Sequence, residues 1–247
     1  IHVEENFIRP FFSKNISEYW RRWHITMGTW FRDYVFYPMS ISKPLKKLTS
    51  TTKKHFGMAG ARRVAVYIST MVTWFATGIW HGAAWHFVAW GLVNGVIILI
   101  SEECTPLYNK FHHRFPKLGN SWGYRAFQVI RTFLMMCCIR LFDTYASVRG
   151  AIRQFIHMFT QFDLSKVTGK ELLDLGLSVQ DYCIVAFGVV AMFTVSMCGR
   201  NGSVREKISQ KPYVIRYGLF VLLFFAVLLL GSYGVGFEAQ QFIYNQF

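Results

Sequence analysis

Apolar runs too long for an ordinary soluble helix dominate this chain. Five of them cover Val64–Trp80, Trp85–Ser101, Trp122–Phe142, Tyr182–Cys198 and Val214–Gly231. Crossing the hydrocarbon of a bilayer takes about 20 apolar residues in a helix, with a range of roughly 17–25. All five blocks are close to that range, and none leaves a continuous polar face for water. A spanning segment must satisfy its own backbone groups, which favours helices. The blocks therefore predict an all-α, polytopic transmembrane helix bundle. Composition agrees, with 53% hydrophobic and only 16% charged residues, where soluble domains carry about 25% charged. No Pro/Gly/Ser linker interrupts the blocks, so a single membrane domain over residues 1–247 is expected. The chain opens on Ile1 in a polar segment, and an N-terminal portion is expected before it.

The formal charge of +14 is concentrated between the blocks. Ile41–Arg63 holds Lys43, Lys46, Lys47, Lys53, Lys54, Arg62 and Arg63 with no acid; Gly199–Tyr213 holds Arg200, Arg205, Lys207 and Lys211 against Glu206. This clustering follows the positive-inside pattern of membrane proteins and places both segments in the cytoplasm. The mixed segment Asp143–Asp181 and the tail after Gly231 then lie outside, which gives five crossings. No nucleic-acid motif accompanies the charge, so membrane lipids, and not nucleic acid, are the expected partners. The cysteines, Cys104, Cys137, Cys138, Cys183 and Cys198, form no CxxC and read as small buried hydrophobes. His112-His113 is a loop pair without a third ligand, so no metal site is expected.

Residues 15–37 are too charged to span. Asn15 or Ser17 can cap a helix, with Glu18 positioned for a capping box. Trp20, Trp23, His24, Met27, Trp30, Phe31 and Tyr34 share one broad face, while Arg21, Arg22, Arg32 and Asp33 take the rest. The pattern predicts an interfacial or re-entrant amphipathic helix over 17–37 on the cytoplasmic side. In the third block, Arg125 and Arg140 can snorkel to opposite ends. Arg131 cannot, and needs a carboxylate or a backbone carbonyl.

Two histidines stand in apolar settings, His24 on the aromatic face and His81 at the end of the first block. A histidine there is more often structural than catalytic, although its near-neutral pKa suits general base chemistry. Gly78, Gly82, Ala83 and Ala84 would clear room for a substrate beside His81. The surrounding wording adds a resemblance. Ser17-Glu18-Tyr19-Trp20-Arg21-Arg22-Trp23-His24-Ile25-Thr26, followed by Trp30-Phe31-Arg32-Asp33-Tyr34, resembles the membrane-bound O-acyltransferase family. The likeness is to its bacterial branch of alginate O-acetyltransferases and teichoic acid D-alanyl transfer proteins. Gly78-Ile79-Trp80-His81-Gly82-Ala83, with Trp90-Gly91, is similar to that family's catalytic histidine motif. The closing Phe242–Phe247 resembles its aromatic C-terminus. The strong motifs span residues 6–95, and the aromatic-rich Phe-Phe-Arg-Ala stretch common in the family after the third block is absent.

The resemblance implies acyl transfer from a cytoplasmic thioester donor, acetyl-CoA or an acyl carrier protein, with no tightly bound cofactor. The acceptor would be a hydroxyl of an extracytoplasmic glycan or of an intermediate carrier, and an extracytoplasmic acyltransferase would be the protein partner. It makes His81 the base and His24 a group that polarises or positions substrate. Trp80 and Trp85 would wall the pocket, and Arg21, Arg22, Arg32 and Asp33 would bind substrate. The setting would be the inner membrane of a bacterial cell. Two rivals stand beside it: a transporter with Arg131 and His81 lining a polar path, and an idle scaffold for a partner transferase.

Overall fold

The structure is a computed structural model that describes residues 4–163 and 178–231. The aromatic ending at Phe242–Phe247 lies outside the described residues. The described residues are mostly helical, as the apolar blocks predict, and the β pairing among them is an isolated antiparallel bridge between Phe7 and Trp23. Contacts divide the chain into two compact units that change over after Thr160.

The first unit opens with the expected Asn15 cap, although Glu18 reaches past the Asn15 amide to that of Lys14 and does not close a capping box. The Asn15 side chain accepts from the Glu18 amide, and the Glu18 carboxylate accepts from the Lys14 amide, both at 2.8 Å. Together they start α1 (Ile16–Arg22). The single helix expected over 17–37 does not form. Trp23 is extended, and His24 adopts the left-handed conformation with φ 48° and ψ 54°. The break comes from residues 6–8, which pair with the chain here. Ile8 N–H donates to the Arg22 carbonyl at 2.9 Å and Ile25 N–H to the Asn6 carbonyl at 3.0 Å. The Asn6 side chain also accepts from the Thr26 amide and hydroxyl. The path resumes as α2 (Ile25–Phe31), a π-helical turn over Arg32–Phe36, and α3 (Tyr37–Ser40).

Next comes α4 (Lys43–His81), a 39-residue helix with one non-helical residue, Gly57 at φ 69°. The basic stretch before the first block is thus mostly helical. After Gly82–Ala84 the chain doubles back as α5 (Trp85–Glu103) and packs along α4 as a tight helical hairpin. Its glycines serve a different purpose from the one expected. A Cβ on Gly91 would lie 2.2 Å from the Trp74 carbonyl oxygen, and one on Gly78 would lie 2.6 Å from that of Phe87. Gly82 is covered by the Phe87 ring, 2.5 Å from where its Cβ would be. The glycines at Gly78 and Gly82 therefore seat the two helices against each other; the space beside them is filled.

Then follow α6 (Thr105–Arg114), α7 (Pro116–Gly119), α8 (Trp122–Ile139), α9 (Leu141–Thr144) and α10 (Val148–Thr160). His112 and His113 lie on α6 and not in a loop. The third apolar block is cut at Ile139, where the chain turns into α9. Arg131 finds the backbone partner it needs, donating to the Lys14 carbonyl at 2.8 Å. The core joins Ile16 and Tyr19 of α1, Trp90 of α5, and Met136 and Ile139 of α8.

The second unit holds α11 (Val179–Cys198), α12 (Val204–Ser209) and α13 (Tyr213–Leu230). Ser178 and Asp181 form a reciprocal cap at the start of α11. Neither long helix buries a single residue.

Among the described residues three helices are long and apolar enough to cross a membrane: α5, α11 and α13. The other two expected spans do not reach that apolarity. The block on α4 carries Ser69, Thr70, Thr73 and Thr77, and the one on α8 carries Arg125, Gln128 and Arg131. The cysteines also differ from expectation. All five are free, with Cys137, Cys183 and Cys198 exposed and Cys104 and Cys138 half-buried. Cys137, Cys183 and Cys198 stand on outward faces of apolar helices, because an apolar run need not point at its own core.

Candidate active site

The break at His24 and the hairpin at His81 build one locale. One face of α4 presents Thr70, Thr73, Trp74 and Thr77 to a cleft of about 700 Å3. Trp20, Arg21, Trp23 and His24 line it from α1 and the break, and Phe31 and Arg32 from α2 and the π turn. His81 lies one helical turn beyond Thr77 on that α4 face.

The His81 imidazole is half-buried. It meets the Trp90 ring edge-on at 4.3 Å and the Trp80 ring at 5.0 Å. Its Nδ1 is buried with no hydrogen-bond partner among the described residues. Burial pushes the His81 pKa down to about 4, and the positive charges of His24 and Arg140 push the same way. Desolvation disfavours the charged form, so this imidazole is neutral at physiological pH. The effect of His24 also shows that the fold brings the two sequence-predicted histidines within electrostatic reach of each other.

His24 is held by aromatic rings, Phe7 at 4.8 Å and Trp23 at 5.6 Å, and burial lowers its pKa as well. Positive φ is uncommon outside glycine and costs about 1–3 kcal/mol. Here the pairing of Asn6 and Ile8 with the flanking backbone compensates for it.

The other expected site residues separate into groups. Arg21 and Arg32 line the cleft. Arg22 is tied to Glu18 at 2.5 Å and is not among the lining residues. Asp33 pairs with Arg32 at 2.9 Å, both exposed. Trp80 and Trp85 stand at the hairpin turn, 40% and 79% exposed, and do not line the cleft. Among the described residues no cluster of His, Cys, Asp or Glu could hold a metal ion.

Sequence reasoning passed over the groups that brace this locale. The Trp20 indole donates to the Asn94 side-chain oxygen at 3.1 Å, and the Asn94 amide donates to the Trp90 carbonyl at 2.9 Å. Asn94 is fully buried. A lone amide inside an apolar block was its available signal, because a buried polar group is costly unless it is paired.

A half-buried neutral imidazole beside an aromatic cleft that holds two guanidinium groups can do general base chemistry on a hydroxyl. No family profile matches the chain. It is 28% identical over 118 residues to the peptidoglycan O-acetyltransferase of Helicobacter pylori, covering 48% of this chain and 19% of that protein. It is 29% identical over 137 residues to the teichoic acid D-alanyltransferase of Bacillus subtilis, with coverage of 56% and 31%. It is 33% identical over 199 residues to a probable alginate O-acetylase of Pseudomonas putida, with coverage of 80% and 35%. The chain thus spans roughly a third or less of the length of these relatives. They are membrane-bound O-acyltransferases, and the matched region is their C-terminal part, as the motifs predict.

Proposed function

We propose that this chain, a relative of the C-terminal portion of the bacterial membrane-bound O-acyltransferases, carries the base of a membrane O-acyltransferase. The acyl group, acetyl on this reading, moves from a cytoplasmic thioester donor to hydroxyls of an extracytoplasmic polysaccharide or cell-wall glycan. The observation that carries the proposal is the buried, unpartnered Nδ1 of His81 within reach of His24.

An acceptor hydroxyl would supply the hydrogen bond that Nδ1 lacks. As its oxygen adds to the thioester carbonyl carbon, its proton passes to the imidazole and a tetrahedral oxyanion forms. Collapse breaks the C–S bond, and the departing thiolate takes the proton back. A histidine with a depressed pKa is suited to that return, because burial makes its charged form short-lived. His24 would position the substrate, at the rim of the same cleft. Arg21 and Arg32 would meet donor phosphates, with Asp33 orienting Arg32. Arg22 is committed to Glu18 and contributes to the fold of α1. The exposed indoles of Trp80 and Trp85 would wall the acceptor side. The charge pattern around α4 supports a cytoplasmic donor face in the bacterial inner membrane, and an extracytoplasmic acyltransferase would receive the acyl group in relay. The transporter reading loses its main support, because Arg131 is engaged with the Lys14 carbonyl.

The test uses full-length protein in proteoliposomes with labelled acetyl-CoA or acetylated carrier protein outside. The acceptor is the de-O-acetylated surface glycan of the same cells, enclosed within the vesicles. Label should enter base-labile glycan esters with wild type and not with His81→Gln. Absence of ester from both donors with wild type would remove the acyltransferase reading.

A further inference from the structure

More than nine in ten buried polar atoms in proteins find a hydrogen-bond partner, so an orphan calls for an explanation. Among the described residues there are four on side chains: Ser13 Oγ, Ser69 Oγ, His81 Nδ1 and Asp143 Oδ1. The last two are linked through one packed chain of contacts: the His81 ring stacks on Phe87 at 6.4 Å, Phe87 meets His86 at 4.0 Å, and His86 bonds the Phe142 carbonyl next to Asp143. Arg140 lies close enough for its charge to depress the pKa of both His81 and Asp143.

Asp143 lies on α9, where its amide donates to the Arg140 carbonyl at 2.9 Å. The ring Nδ1 of His86, in the first turn of α5, bonds the adjacent Phe142 carbonyl at 2.8 Å and fixes α9 against the hairpin. The charged and titratable groups that face Asp143 are Arg140, His86 of α5 and Tyr19 of α1. None of them bonds its Oδ1. Arg140 is exposed and pairs with no carboxylate among the described residues. A buried carboxylate oxygen that only accepts thus lies beside a guanidinium that only donates, near an imidazole awaiting a hydroxyl.

That set of groups matches one ligand chemistry better than others. A sugar ring carries several adjacent hydroxyls, each able to donate to one oxygen and accept from one nitrogen. A monohydric alcohol can satisfy His81 and leaves Asp143 orphaned. We propose that Asp143 and Arg140 are a hydroxyl-recognition pair that binds the acceptor as a polyol beside His81. Asp143 Oδ1 accepts from a second hydroxyl of the sugar whose first hydroxyl meets His81, and Arg140 donates to its oxygens. The inference rests on the acyltransferase reading and adds the residues that select the acceptor.

The test measures acetyl transfer by the full-length protein, with the KM for donor and for acceptor determined separately. The acceptor probe is oligosaccharide cut from the de-O-acetylated surface glycan. Asp143→Ala should raise the acceptor KM about tenfold or more, the loss expected for a hydrogen bond to a charged group. Donor KM should stay unchanged. Asp143→Asn keeps the accepting oxygen and should recover to within about threefold. Arg140→Gln, at an exposed position that should not disturb folding, should raise the acceptor KM alone. The inference is overturned if Arg140→Gln leaves the acceptor KM unchanged in an abundant protein. It is equally overturned if Asp143→Asn is as damaged as Asp143→Ala, or if donor and acceptor KM rise together. Wild type without any transfer is a separate result, and it sinks the acyltransferase reading itself.

Discussion

The α4–α5 hairpin and the helices α11 and α13 all carry long apolar runs, yet they use them in opposite ways. The hairpin buries polar groups at Ser69, Thr77 and Asn94, and its glycines bring two backbones almost into contact. In α11 and α13 no residue is buried, and a Cβ on Gly188 or Gly218 would meet nothing within 4 Å. Two apolar helices without a buried residue have the character of lipid-facing spans. Apolarity alone therefore says where the membrane is. Function concentrates where small and polar residues are enclosed by that apolarity, which is the hairpin.

The largest test of this contrast is Gly91→Val against Gly218→Val. The first drives a side chain into the Trp74 carbonyl and should cost about 3 kcal/mol or more, at or above the top of the roughly 1–3 kcal/mol usual for overpacking. The second should stay within about 0.5–1 kcal/mol, the range of helix propensities. Membrane abundance and detergent melting curves read both, and equal tolerance would remove the close-packed hairpin.

Next in size is Asn94→Leu, which leaves the Trp20 indole without its acceptor. An expected loss of about 1–3 kcal/mol follows from an orphaned buried donor. Thr194→Val on α11, where the hydroxyl bonds only its own helix, should change stability by less than about 0.5 kcal/mol. A larger effect at Thr194 would show that α11 has an inner face after all.

The third effect depends on pH. The folded pKa of His81, about 4, lies below the ordinary value of 6.5. The unfolded chain therefore binds more protons between those values, and stability falls as pH drops through that window. Asp143, raised to about 6 from 3.8, acts in the opposite sense and loses stability as pH rises toward 6. The two offset each other in wild type between about pH 4 and 6. His81→Gln removes the first term, so its stability relative to wild type should improve by up to roughly 3 kcal/mol as pH falls from 7 to 4. Parallel pH profiles for the two proteins would mean that His81 is not buried as described.

Local signals were legible in the sequence: the apolar blocks, the Asn15 cap and the need of Arg131 for a carboxylate or carbonyl partner. Each is decided within a few residues or by a single cost. The break at His24 was not legible, because its cause is backbone pairing with Asn6 and Ile8 from outside the window of a helical wheel. The glycines of the motif were misread for a related reason. Small residues admit either a ligand or a neighbouring helix, and only the position of Phe87 decides between them. Asp143 gave no signal at all, since a carboxylate just beyond an apolar block is ordinary until the fold buries it. The positions of both histidines were readable from their apolar surroundings, while their mutual reach required the break and the hairpin together.

The account stands on His81 as a neutral base held by the hairpin. Its most direct test is O-acyl ester content at the cell surface with His81→Gln and His81→Ala, each normalised to full-length protein in the membrane. General base catalysis contributes about 10²–10⁴-fold, so ester should fall to background while abundance stays at wild-type level. Normal ester content at normal abundance would contradict the account.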